Sequence, residues 1–327
     1  MKWIFPTLAI AALAAAQMGR HDGPHGRMMG TLPDKMESAA NPITAAKTDL
    51  GRMLYYDARL SRDGTVSCNS CHDLARYGVD SKPFSPGVGG QLGGRNSPSV
   101  YHAADHLLQF WDGRAADVEE QAKGPVLNPV EMAMESGAGV ERKLRSIPGY
   151  VDAFRRAFPA EAEPVTFDNM ARAIGAFERG LVTPSRWDKF LAGNRSALGG
   201  NEFEGHQEFM HTGCAQCHNG PYVGGRSLQK LGAERPWPRD SDPGRMAVTN
   251  AATDRMVFKV PSLRNVEKTG PYFHDGSVAS LDLAVRMMAE HQLGVTLDDR
   301  RAGAIVAWLK SLTGEIPAAY IKAPELP

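Results

Sequence analysis

The sequence predicts a mostly α-helical protein folded as two lobes with long irregular loops. Three observations predict it. Apolar residues recur at helical spacing along most periodic stretches, and no run alternates as a strand ladder would. One short motif, C-x-x-C-H, occurs twice and uses all four cysteines. Glycine (34) and proline (22) are frequent in the 327 residues, which places much of the chain in turns and loops. A chain of this length can build two cores. Lys and Arg (37) balance Asp and Glu (37), so no global field points to nucleic acid or an anionic membrane.

The elements follow in order. Lys2, the apolar run 3–16 and Ala14-Ala15-Ala16 before Gln17 read as a secretory signal peptide, residues 1–16. An uncleaved anchor would need about 20 apolar residues, and no later run is long enough to stay in a membrane. Residues 17–40, with His21 and His25, read as a flexible leader. From Pro42 the pattern is helical, with Leu50, Leu54 and Tyr55 on one face, ending near Asp57. The first motif and a long loop through 87–96 precede a helix over 116–122, which Gly124-Pro125 stops. Helices near 141–158 and 166–180 complete a first domain, 41–190. In the second domain, 191–327, a helix over 202–211 precedes the second motif. A Gly/Pro-rich loop then runs to about Lys259. Ser280 caps a helix from Leu281 to about His291, and Thr296 caps a last helix carrying Ala302, Ile305, Val306 and Leu309.

Cys68-Asn69-Ser70-Cys71-His72 and Cys214-Ala215-Gln216-Cys217-His218 have the form of c-type haem attachment sites. Two thiols add to the haem vinyl groups, and the adjacent histidine ligates iron. One copy alone could be a zinc half-site or a redox dithiol; two copies behind an export signal, with no spare cysteine, favour two covalently bound haem c groups. The lobes are then cytochrome-c-like, each with a haem in its core.

The halves read as a divergent repeat. Phe110-Trp111-Asp112-Gly113 resembles Phe273-His274-Asp275-Gly276, and each precedes a helix. Arg95-Asn96-Ser97-Pro98-Ser99 and Val260-Pro261-Ser262-Leu263-Arg264-Asn265 precede them. In the second half Leu281, Val285 and Met288 share a helix face, so Met288 rather than Met287 can reach an iron. The corresponding place in the first half is Pro125. One haem is therefore expected to be closed by His218 and Met288, and the other to be open above His72. A His/Met haem suits electron storage, and an open one can bind a small oxygen ligand.

On these residues, together with Glu119-Glu120-Gln121-Ala122, Asn128-Pro129-Val130-Glu131-Met132 and Pro271-Tyr272, the chain resembles the bacterial dihaem cytochrome c peroxidases from about residue 45 onward. The resemblance implies reduction of hydrogen peroxide to water in the periplasm, with electrons from a small cytochrome c or copper protein. It implies that Glu131 moves a proton between the peroxide oxygens, that Gln121 helps hold peroxide and that Trp111 bridges the haems. It also implies a Ca2+ ion held by the Asn96 side chain and the Thr269 and Pro271 carbonyls, and a possible homodimer.

The chain departs from the family at Val88, where many members carry a histidine that caps the oxidised peroxidatic iron. Valine cannot ligate, so activity without reductive displacement of a ligand is expected unless His102 or His106 substitutes. Two other readings stay open. One is a dihaem enzyme that oxidises side chains of a partner protein, like the one that matures methylamine dehydrogenase, although that enzyme has a tyrosine where Met288 stands. The other is a non-catalytic dihaem electron carrier.

Overall fold

The computed structural model describes residues 29–327, so the expected signal peptide, His21, His25 and the rest of the leader up to residue 28 lie outside it. The remainder of the expected leader is held in place. Met29 is fully buried in the second core, and the Met36 N–H donates to the Arg179 carbonyl.

Each core is built around a crossed helix pair. In the first, α1 (Ala45–Tyr56) packs on α6 (Phe167–Glu178), with α2 (Cys68–Cys71), α3 (Val118–Leu127), α4 (Gly137–Arg145) and α5 (Pro148–Ala157) between them in sequence. Leu50, Leu54, Tyr55, Ile174 and Phe177 form its centre. In the second, α8 (Gly200–Thr212) packs on α11 (Asp299–Ser311), with α7 (Arg186–Leu191), α9 (Met246–Thr249) and α10 (Leu281–Leu293) completing the helices. Trp187, Phe209, Ile305 and Trp308 form that centre. Both pairs cross at a glycine for the same reason. A Cβ on Gly51 would collide with the Ala173 carbonyl, and one on Gly205 with the Ala304 carbonyl. Hydrogen in place of Cβ lets the two backbones touch.

The matched geometry extends to the loops. Phe110 (φ 63°) and Phe273 (φ 70°) both adopt left-handed backbone, as do His102 (φ 63°) and Asn265 (φ 61°). Gln109 bridges Ala115 as Tyr272 bridges Val278. Thr183 joins the two copies, donating its N–H to His102 Nε2 at 3.0 Å and exchanging hydrogen bonds with the Asn265 side chain.

Three sequence expectations need correction. First, α3 does not stop at Gly124-Pro125 but runs through Pro125 to Leu127. Proline removes one N–H in the last turn, and the N–H groups of Asn128, Met132 and Met134 take up the carbonyls of Gly124, Pro125 and Val126. Second, the last helix begins at Asp299 and not after Thr296, because the Asp298 carboxylate caps it by accepting the Arg301 N–H. Third, the Gly/Pro-rich loop contains a short antiparallel pair, β1 (Leu228–Lys230) and β2 (Val257–Lys259). Three residues per strand are too few to show alternation. Among the described residues no helix is long and apolar enough to cross a membrane.

Candidate functional site

One cavity of about 800 Å³ takes in both C-x-x-C-H motifs and the seam between the two cores. In the first motif Ser67 and Ser70 form a capping box that starts α2, which turns Cys68, Cys71 and His72 toward the cavity. Tyr55 ties α1 to this turn by donating to the His72 carbonyl at 2.7 Å. His72 Nδ1 lies 3.4 Å from the Gly78 carbonyl. Burial lowers its pKa, partly offset by the Gly78 and Pro98 carbonyls, so the imidazole is neutral. His218 is arranged likewise. Burial holds it down to about 4 while the carbonyls of Val223 and Pro261 oppose the shift, although Nδ1 forms no hydrogen bond of standard geometry.

These donors fit a haem at each motif. No cysteine is paired in a disulfide. Burial pushes the thiols of Cys68 and Cys214 up to about 12 and that of Cys71 to about 11, which keeps them protonated in the unloaded cavity. Among the described residues no cluster of three or more His, Cys, Asp or Glu side chains is placed to hold a bare metal ion. Thiols and neutral imidazoles instead open together onto a cavity with largely apolar walls.

The walls of the two halves correspond residue by residue. On α3, Val118, Gln121, Ala122 and Pro125 face the cavity, and on α10 the same turns present Leu281, Ala284, Val285 and Met288. Met287 is absent from the lining and packs instead beside Trp237, Met256 and Phe258. Glu131 joins the first wall. Its carboxylate accepts from Asn128 Nδ2 at 2.7 Å, and burial raises its pKa against the pull of Arg114 and of that bond. The loop containing Val88 buttresses it: the Val88 N–H donates to the Glu131 carbonyl, and a Cβ on Gly87 would strike the 130–131 backbone. Val88 is buried but does not line the cavity.

Trp111 sits on the seam. Its Nε1 donates to the Asn96 carbonyl at 2.8 Å, and its own carbonyl accepts the Lys259 N–H at 2.7 Å. Asn96, Thr269 and Pro271 line the cavity together, and the Asn96 amide nitrogen donates to the Lys82 carbonyl, which leaves Oδ1 to face elsewhere. His102 does not line the cavity, and its Nε2 is taken by Thr183. His106 does line it, with Nδ1 3.4 Å from Lys259 Nζ among second-lobe residues Tyr222 and Gly225. Sequence reasoning missed Glu178, which lines the first wall from α6. Its counterpart on α11 is Leu309, a correspondence fixed by the crossing points, since Gly51 meets Ala173 as Gly205 meets Ala304.

Residues 45–196 match the family model for di-haem cytochrome c peroxidases. The cytochrome c551 peroxidase of Nitrosomonas europaea is 44% identical over 323 residues, covering 98% of this chain and 95% of that protein. The chain belongs to the di-haem cytochrome c peroxidase family. The cytochrome c551 peroxidase of Pseudomonas aeruginosa is 45% identical over 302 residues, covering 90% of this chain and 86% of that one. A solved MauG-like protein associated with microbial copper homeostasis has the same fold, with a TM-score of 0.79 at 28% identity over 90% of this chain and 97% of that one. Membership makes the chain a peroxidase of the cytochrome c class with two haem groups.

Proposed function

We propose that the protein is a periplasmic peroxidase that reduces hydrogen peroxide to water at the 68–72 motif, using electrons that enter at the 214–218 motif from a small cytochrome c or copper protein. The carrying observation is the unequal wall. Met288 faces the cavity from α10, whereas α3 presents Pro125 at the same turn beside Gln121 and Glu131. In this reading Cys68 and Cys71 would hold one haem c covalently with His72 as an iron ligand, and Cys214 and Cys217 would hold the other with His218 and Met288 as iron ligands. The haems supply the iron that takes up peroxide and the electrons that reduce it.

The chain's own residues supply the rest. Glu131, ionised and half-buried, would take the proton of the near peroxide oxygen and return it to the far one, so that water leaves as the O–O bond breaks. Asn128 fixes the rotamer of that carboxylate, and Gln121 donates to bound peroxide from the adjacent turn. Trp111, bonded to Asn96 on one side and Lys259 on the other, is the bridge between the sites. Asn96 Oδ1 with the Thr269 and Pro271 carbonyls is an oxygen-only set of the kind Ca2+ accepts. With Val88 out of the cavity and His102 bonded to Thr183, the first site needs no reductive displacement of a protein ligand. The division between the lobes falls near residue 185 rather than 190, since Trp187 and Phe190 lie in the second core while Ile321 returns to the first, and a homodimer is the expected assembly. Met288 in place of a tyrosine favours a peroxidase over an oxidase of partner proteins, and Glu131 with the missing first-lobe ligand disfavours a pure electron carrier.

Absorption and electron paramagnetic resonance of the fully oxidised holoprotein test this directly. One high-spin and one low-spin haem are expected. Two low-spin haems would sink the open-site reading.

A further inference from the structure

Glu178 is out of place by the logic of the repeat. It lies at the end of α6, is 4% exposed and lines the cavity one turn beyond Ile174. On α11 the corresponding wall is Ile305 followed by Leu309. The register is set by the crossing points, since Gly51 meets Ala173 as Gly205 meets Ala304. Burying a carboxyl where the sister lobe buries leucine is costly unless the group is protonated or used.

The neighbours do not compensate a charge there. Glu119, on α3, is itself acidic and is the nearest carboxylate influence. Arg179 is the one cation acting on Glu178, but its guanidinium is already committed to both oxygens of Glu119, at 2.8 to 3.1 Å. Tyr55 from α1, Cys68 from α2 and Tyr320 from the C-terminal segment are the other titratable groups around it, and none is cationic. No hydrogen bond to the Glu178 carboxyl is formed within the described residues. Burial first, then Glu119, raises its pKa to about 8, with Arg179 opposing.

We propose that Glu178 is a proton-binding residue of the first-lobe site, taking up one proton as that site gains an electron and releasing it as the electron leaves. The inference rests on the reading of the 68–72 motif as a haem site. Reducing one peroxide to two waters consumes two electrons and two protons. An electron placed in a buried site carries uncompensated negative charge, and a proton bound nearby offsets it. The step balances simply: the site's iron is reduced by one electron from the second lobe, the carboxylate gains a proton from solvent, and only an O–H bond forms. Leu309 gives the second lobe no such group, so its electron moves without a proton at that place.

The test is a spectropotentiometric titration of the two-haem holoprotein across roughly two pH units either side of about 8. In the wild type, as pH rises above about 8, the first-lobe redox equilibrium should shift toward oxidation by up to about tenfold per pH unit, ~59 mV for one electron, and should be level below it, while the second-lobe potential stays level throughout. Glu178→Gln, which mimics the protonated form, should level the first-lobe potential, as should Glu178→Leu. A slope that survives in Glu178→Gln, or a wild type without one, overturns the proposal. If the variants do not retain both haems, redox-difference infrared spectra of the wild type in H2O and D2O decide. A protonated-carboxyl band that appears on first-lobe reduction and shifts in D2O supports the proposal, and its absence overturns it. A mass showing haem on one motif alone refutes the haem reading and the proton coupling with it, whereas two haems without a pH slope refute only the coupling.

Discussion

The two lobes share one scaffold, and their cavity walls differ at a few matched side chains. Both cross their core helices at a glycine, both place a neutral histidine beside backbone carbonyls, and both turn a left-handed phenylalanine into a cavity-lining helix. Across the cavity, Pro125, Gln121 and Glu178 of the first lobe stand where the second has Met288, Ala284 and Leu309. Polar side chains collect on one wall, apolar packing and a soft sulfur on the other. One backbone plan thus carries two differently lined walls, and the proposed function assigns substrate chemistry to the first and electron storage to the second.

The comparison can be broken hardest at Glu131. Replacing it by Gln keeps the Asn128 contact but removes the base. Peroxide-dependent oxidation of a ferrous cytochrome c should fall by about 10²–10⁴-fold, with the second-lobe potential unchanged. An equal rate in the variant would return the first lobe to the status of an electron carrier. Next comes the sulfur. Met288→Leu should lower the second-lobe potential by on the order of 0.1 V or more, within the roughly 0.8 V that axial ligands span, and make that ferric haem high-spin. The converse, Pro125→Met, should make the first-lobe ferric haem low-spin and suppress peroxide turnover; an unchanged spectrum would show that the matched turns do not aim alike.

Two smaller effects sharpen the likeness and the difference in turn. Gly51→Ala and Gly205→Ala each gain helix propensity but force a backbone clash, and overpacking of this kind costs about 1–3 kcal/mol. Similar losses in the two variants, read from denaturant midpoints, are expected; a loss in one alone would mean the crossings are not equivalent. The last is a pH effect. Glu131 works ionised, and burial raises its pKa from 4.5. The turnover number should therefore rise with pH through a limb lying above that ordinary value, and Glu131→Gln should lack this limb.

Much of the candidate site was legible because its cysteines and histidines stand in two contiguous motifs. The motifs, the helix capped by Ser280, and the contrast of Met288 with Pro125 needed only spacing. The extent of α3 was not legible, because Pro125 normally ends a helix, and the last-turn carbonyls of Pro125 and Val126 are taken up by the N–H groups of Met132 and Met134 in the turn that follows. Asp298 outcompetes Thr296 by charge at a helix start, which local spacing ranks poorly. Glu178 was missed for a different reason. The 167–178 and 298–309 stretches match at Asp168/Asp299, Ala171/Ala302, Ala173/Ala304, Ile174/Ile305 and Ala176/Ala307, but they lie far from the C-x-x-C-H motifs in sequence, and only the packing of α6 on α1 and of α11 on α8 brings Glu178 and Leu309 to the cavity wall.

The path of the chain's last residues carries one more consequence. Beyond α11 the segment leaves the second lobe and lies against the first. Ile321 enters the first core, Tyr56 donates to the Ile321 carbonyl at 2.6 Å, and Tyr320 donates to the Phe177 carbonyl at 2.6 Å. The lobe that comes first along the chain is thus completed by residues that follow the second, so a cut between the lobes would strip the first of part of its core.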